Sequence, residues 1–153
     1  TDDNVTNNDG VSIGSSTLYL DGIKVGDGGQ TTGRLNLTVF PTSDFKFNLA
    51  LFGADNIFSN INAEDFDEPD GGNAQLPAYK LFDFGAGYNF DLFGNNAYLR
   101  LNINNLFDEE YYPEMENNYL ATDDSTNYMG INTANRIFPG WGRTWNVGLT
   151  YRF

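Results

Sequence analysis

The sequence contains no cysteine and no histidine. The first absence excludes a disulfide framework and thiolate chemistry. The second removes the side chain that most often serves as general base and metal ligand near neutral pH. Cations are scarce, with 8 Lys and Arg against 21 Asp and Glu and a formal net charge of −13. Phosphate backbones are bound by clustered Lys and Arg, so nucleic acid is not an expected partner. No run of about 18 apolar residues exists, which excludes a transmembrane helix. Helical spacing is unconvincing anywhere in the chain, and no charged-then-apolar leader is visible. What remains is 153 residues, enough for a sizeable core, of which 16% are aromatic. The opening stretch TDDNVTNNDG is polar and loop-like and reads as a continuation from preceding chain.

Apolar residues recur with a period of two. In GRTWNVGLTYRF (residues 142–153), Trp145, Val147, Leu149, Tyr151 and Phe153 alternate with polar or small residues. The same alternation holds for Leu35, Leu37 and Val39, and for Phe45, Phe47, Leu49 and Leu51, where Phe52 breaks the polar side. It holds again for Phe82, Phe84, Ala86, Tyr88 and Phe90, and for Leu99, Leu101 and Ile103. Period two means strands with one apolar and one polar face. Five strands of about 10 residues are expected, with STLYLDGIKVG (residues 16–26) as a shorter sixth.

Short and long connections alternate. PTSD and DLFGNN are short, whereas residues 57–77 and 108–140 form long acidic connections. Two architectures use two-faced strands. A soluble sandwich buries the apolar face against a second sheet. An outer-membrane barrel turns it to lipid, with short turns on one side and long loops on the other. Strand length, turn alternation and aromatics near strand ends favour the barrel. The expected fold is all-β, an antiparallel transmembrane β-barrel segment of about 5–6 strands. Lipid-facing barrels start at about eight strands, so this would be the closing end of a larger barrel.

LNINNLFDEEYY (residues 101–112) followed by GRTWNVGLTYRF resembles the last two strands of TonB-dependent outer-membrane receptors. LYLDGIKVGDGGQTT and LPAYKLFDFGAGYNF are similar to stretches upstream in such receptors of Bacteroidota-like bacteria. The resemblance covers nearly the whole chain, in the family's order. It implies that residues 1–153 are the C-terminal part of a 22-stranded barrel, in the outer membrane with long loops extracellular. The plug domain and the TonB box are not in this sequence. The implied function is uptake of a scarce substrate such as a siderophore or a carbohydrate. The implied partners are the rest of the barrel and plug, outer-membrane lipid and lipopolysaccharide, the insertion machinery, and TonB through the plug. A non-transporting barrel such as an adhesin or scaffold, and a secreted sandwich module, stay open as alternatives.

Four groups of residues carry candidate roles. The terminal strand, with Trp145, Val147, Leu149, Tyr151 and Phe153, is the expected assembly signal, with plain closure of the sheet as the simpler role. Tyr111, Tyr112, Tyr119, Tyr128 and Trp141 are the aromatics expected to meet a ligand, or else to pack loop on loop. Asp65, Asp67 and Asp70, followed by two glycines, form an oxygen-rich loop that could hold Ca²⁺, although the spacing is not that of an EF-hand. Otherwise no cofactor is expected. Arg34, Arg100 and Arg152 share a polar strand face with Lys46 and Asp83, and could attract an anion or pair with neighbouring carboxylates. No enzymatic activity is expected. Glu109 and Glu110 are adjacent at a strand end and would point opposite ways.

Overall fold

The computed structural model describes residues 2–6, 8–60 and 72–153. Among them no helix occurs, so none is long and apolar enough to cross a membrane, which says nothing of proteins that cross with strands. The strands are β1 (Asp2–Thr6), β2 (Ser12–Thr17), β3 (Gly29–Val39), β4 (Phe45–Phe58), β5 (Gln75–Leu76), β6 (Tyr79–Leu92), β7 (Asn95–Asn104), β8 (Glu114–Met115), β9 (Asn127–Tyr128), β10 (Ile131–Asn132), β11 (Ile137–Phe138) and β12 (Thr144–Tyr151). The chain is all-β, and it divides into two compact units. The sheet unit comprises Thr31–Asp55, Ala78–Tyr111 and Pro139–Phe153. The connection unit comprises Thr1–Gln30, Asn56–Pro77 and Tyr112–Phe138.

The sheet unit is an antiparallel meander in the order β12–β7–β6–β4–β3. It is an open sheet, with β3 and β12 at its edges. The pairing register aligns the sequence alternation across the strands. Leu149 faces Leu99 and Val147 faces Leu101; Leu99 pairs in turn with Tyr88 and Leu101 with Ala86. Tyr88 and Ala86 pair with Phe45 and Phe47 of β4. Because cross-strand partners share a face, these residues build one continuous apolar surface. The opposite surface carries Asn48, Gly85, Asn102 and Asn146 in one row, and Lys46, Gly87, Arg100 and Gly148 in the next. Amide pairs such as Asn102 Nδ2 to Asn146 Oδ1, 2.9 Å, tie this polar face together. The apolar face is uncovered: Leu35, Leu37, Leu49, Phe82, Leu99, Val147 and Leu149 are all exposed.

Both short turns lie at one end of this sheet. Residues 40–44 join β3 to β4, where Thr42 Oγ1 accepts the Phe45 N–H at 3.0 Å. Phe93 and Gly94 alone join β6 to β7, with φ of 54° and 80°. Two successive positive φ values define the type I′ hairpin turn, whose twist matches that of the strands. DLFGNN is therefore mostly strand, not connection, because pairing continues to Leu92 and Asn95. At the other end, β4 also runs past its expected stop. Its ladder with β6 reaches Ala54, Asn56 then takes φ 53°, and Ile57 and Phe58 pair with β5.

The sixth expected strand is corrected. Strand β2 ends at Thr17, and residues 18–26 are irregular. Their alternation is interrupted by the Asp21–Gly22 turn, where Gly22 has φ 78°.

The connection unit has its own small core of Ile57, Ala74, Leu76, Met115 and Ile131. Its pairings are short: β1 with β2, β8 with β11, and β9 with β10 around a turn of Met129 and Gly130, φ 50° and 81°. Asparagine side chains replace longer ladders. Asn118 Oδ1 accepts from Ser59 Oγ at 2.6 Å and from the Ala74 N–H at 2.5 Å, while its Nδ2 donates to Gly72 O. Buried Asn135 accepts from the Tyr119 N–H and donates to Tyr119 O and Asn132 O. A side-chain amide presents the same donor and acceptor as a backbone peptide, so it satisfies irregular chain where no strand partner exists.

Candidate functional site

The two segments that carried the family resemblance meet at the loop-side end of the sheet unit. Asn105 follows β7, is 4% exposed and adopts φ 51°. Its N–H donates to Asp83 Oδ1 at 3.0 Å. Its Nδ2 donates to Glu109 O at 2.9 Å and Trp141 O at 3.3 Å, and its Oδ1 accepts the Glu109 N–H at 2.8 Å. Asp108, at φ 59°, accepts the Arg143 N–H on Oδ1 at 2.6 Å. The Gly140 N–H donates to Tyr111 O at 2.8 Å, and the Tyr111 ring fills the space that a side chain at Gly140 would need. Left-handed backbone at two non-glycine positions suits Asn and Asp. The motif is thus a clamp that fixes where the long last connection leaves β7 and where it rejoins β12.

The aromatics expected to meet a ligand are not equivalent. Tyr112 is 6% exposed and serves as packing in the connection unit, so it offers no ring face to a ligand. Tyr111 is half-buried against Tyr79, with ring centroids 4.6 Å apart. Phe52, the residue that broke the polar alternation, packs on Tyr79 at 6.2 Å. Its apparent misfit is part of an aromatic cluster at the loop-side end of the polar face. Tyr119, Tyr128 and Trp141 are exposed, with Trp141 at 83%. Tyr111 and Trp141 belong to the sheet unit, and Tyr112, Tyr119 and Tyr128 to the connection unit.

Within the connection unit, Tyr119 lines a cleft of about 320 Å³ with Asn73, Gln75, Leu120, Gly130 and Asn132. Asn73 Oδ1 accepts the Lys24 N–H at 2.8 Å, while its Nδ2 is a buried donor without a partner among the described residues. Periodicity could not reveal this cleft, because its polar residues come from connections with no regular pattern. Asp65, Asp67 and Asp70 lie outside the described residues. Among those described, no group of three acidic side chains could hold a metal ion. Arg136 pairs with Glu116 at 3.0 Å and lies over the Phe138 ring at 5.5 Å, so it is occupied within its own unit.

The terminal strand is an edge strand. Trp145, Val147, Leu149 and Tyr151 project from one side of β12, and all four are exposed, as is Phe153 beyond it. Tyr151 and Phe153 lie 6.2 Å apart, and the Tyr151 hydroxyl accepts from Asn95 Nδ2 at 3.0 Å. Aromatic pairs recur at this end of the sheet: Phe45 with Tyr88 at 6.3 Å, and Tyr88 stacked on Phe90 at 5.7 Å.

Comparison with known proteins brings no relative to bear: no family model, no curated protein and no solved structure matches the chain.

Proposed function

We propose that this chain forms wall and surface loops of an outer-membrane β-barrel receptor of the TonB-dependent type. The observation that carries the proposal is the uncovered apolar face of a single sheet whose other face is an Asn-, Gly- and Arg-rich polar surface. In water such a face would need a second sheet over it. In a bilayer it meets lipid, and the polar face meets a water-filled interior. Supporting features are the two short turns at one end of the sheet, the long connections at the other, and aromatics at both ends. In this reading β3 and β12 pair with further strands, since unpaired edges are not tolerated in lipid. The clamp at Asn105 and Asp108 positions the last extracellular loop. The connection-unit cleft, with its amides and Tyr119, is the ligand-facing surface. The exposed side of β12, with Phe153, is what the insertion machinery takes hold of.

Sidedness tests the proposal. An epitope tag within residues 117–127 should bind antibody on intact cells. A tag between Phe93 and Gly94 should bind only after the outer membrane is breached. The inverse pattern, or recovery of the chain in a soluble fraction without detergent, would overturn it.

A further inference from the structure

Three cations lie on the polar face towards the short-turn end of the sheet. Lys46 of β4 and Arg152, just past β12, line an open cleft of about 340 Å³ together with Asn89, Asn96, Tyr98 and Thr150. Arg100 stands one row along: Lys46 pairs with Gly87, Gly87 with Arg100, and Arg100 with Gly148. The two glycines keep that row clear of side chains. Tyr98 uses the freed space, its hydroxyl lying where a Cβ on Gly87 would sit. One Arg100 guanidinium nitrogen comes within 4.0 Å of the Cβ position at Gly148.

No carboxylate lines the cleft. Two acids stand at the adjoining short turns: Asp91 Oδ1 accepts the Gly94 N–H at 2.9 Å, and Asp44 Oδ2 accepts from Ser43 Oγ at 3.1 Å. Lys46, Arg100 and Arg152 form no ion pair among the described residues. A chain with so few cations therefore leaves Lys46 and Arg152 without an ion-pair partner among the described residues, around a space rimmed by hydroxyl and amide groups, with Arg100 one row along. Like charges held together repel, and a bound anion reverses that cost.

We propose that this cleft binds a phosphate dianion, inorganic or as a monoester. Two features favour phosphate over a carboxylate. Lys46 and Arg152 together carry two positive charges, and the lining donors come from four strands, which suits a tetrahedral group with several acceptor oxygens better than a planar one. The inference rests on the polar face alone and does not need the apolar face to meet lipid. In a barrel the cleft opens on the interior.

Isothermal titration of the full chain with sodium phosphate, glycerol 3-phosphate and sodium acetate tests it. Phosphate should saturate a single site, and acetate should bind at least about tenfold more weakly. Glycerol 3-phosphate binding as well as phosphate identifies monoesters as ligands; its failure beside a phosphate isotherm identifies the free ion. The double variant Lys46→Gln/Arg152→Gln should lose about 100-fold in affinity, while Lys46→Arg stays within about threefold. Arg34→Gln, in β3 and outside the cleft, should change nothing. Should the double variant not fold, Arg152→Gln alone should still cost about tenfold. No saturable phosphate binding, equal binding of acetate, or an isotherm indifferent to Lys46 and Arg152 would overturn the proposal.

Discussion

Asn146 and Val147 are neighbours in the chain and face opposite sides of β12, opposite Asn102 and Leu101 respectively. A charge at the two positions therefore meets two different media. With lipid on the apolar side, Val147→Arg should cost roughly 2–4 kcal/mol near the midplane, and Asn146→Arg much less. The fraction of heat-modifiable folded protein in outer-membrane preparations measures both. Equal damage from the two would contradict the assignment of faces. Phe93 supplies a second comparison. It is 90% exposed and sits at the first central position of a type I′ turn, where asparagine is favoured. Phe93→Asn should stabilise the folded chain by on the order of 0.5–1 kcal/mol in detergent, where any aromatic anchoring is weakened. A loss of stability in urea titration would show that the ring contributes more than its backbone conformation costs.

At the scale of elements, the long strands were legible because each one repeats its apolar residues on one face. Trp145, Val147 and Leu149 announce β12 without reference to anything else. Their partners were not legible, since register depends on where turns fall, and Phe93 and Gly94 form a tighter turn than DLFGNN suggested. The two-residue strands of the connection unit were invisible for a different reason. Asn118 and Asn135 hold those segments through contacts far apart in sequence, which leave no periodic trace. The clamp after β7 was recognisable as a motif but not as a device, because its partners Trp141 and Arg143 lie more than thirty residues on. Its energetic weight can be measured. Asn105→Ala removes three side-chain hydrogen bonds from a buried site and should destabilise by about 2–3 kcal/mol. Asp108→Ala, at an exposed position with one such bond, should cost about 1 kcal/mol. Denaturant midpoints of the two variants, measured side by side, should differ in that order; equal midpoints would remove the clamp's special role.

On the scale of the whole molecule, charge and polarity are segregated. Six of the 8 Lys and Arg belong to the sheet unit, while most Asp and Glu belong to the connection unit. A soluble surface normally intersperses both signs. Under the proposed function the two units meet different surroundings, the sheet unit a bilayer and a watery interior, the acidic connection unit an open medium, and separation of this kind suits them. These 153 residues contain no cysteine, so a thiol introduced here has no native counterpart within the stretch. Single cysteines at Leu37, Leu101 and Val147, and at Asn48, Asn102 and Asn146, should be introduced and the protein labelled in outer-membrane preparations, where the proposed function places it. Each set is then exposed to a lipid-partitioning maleimide and to a membrane-impermeant one. The apolar-face positions should react with the lipid-partitioning reagent alone, and the polar-face positions with the aqueous reagent once it reaches the interior. Reaction of Leu101→Cys and Val147→Cys with the aqueous reagent, at the rate of Asn102→Cys and Asn146→Cys, would contradict a lipid-facing sheet.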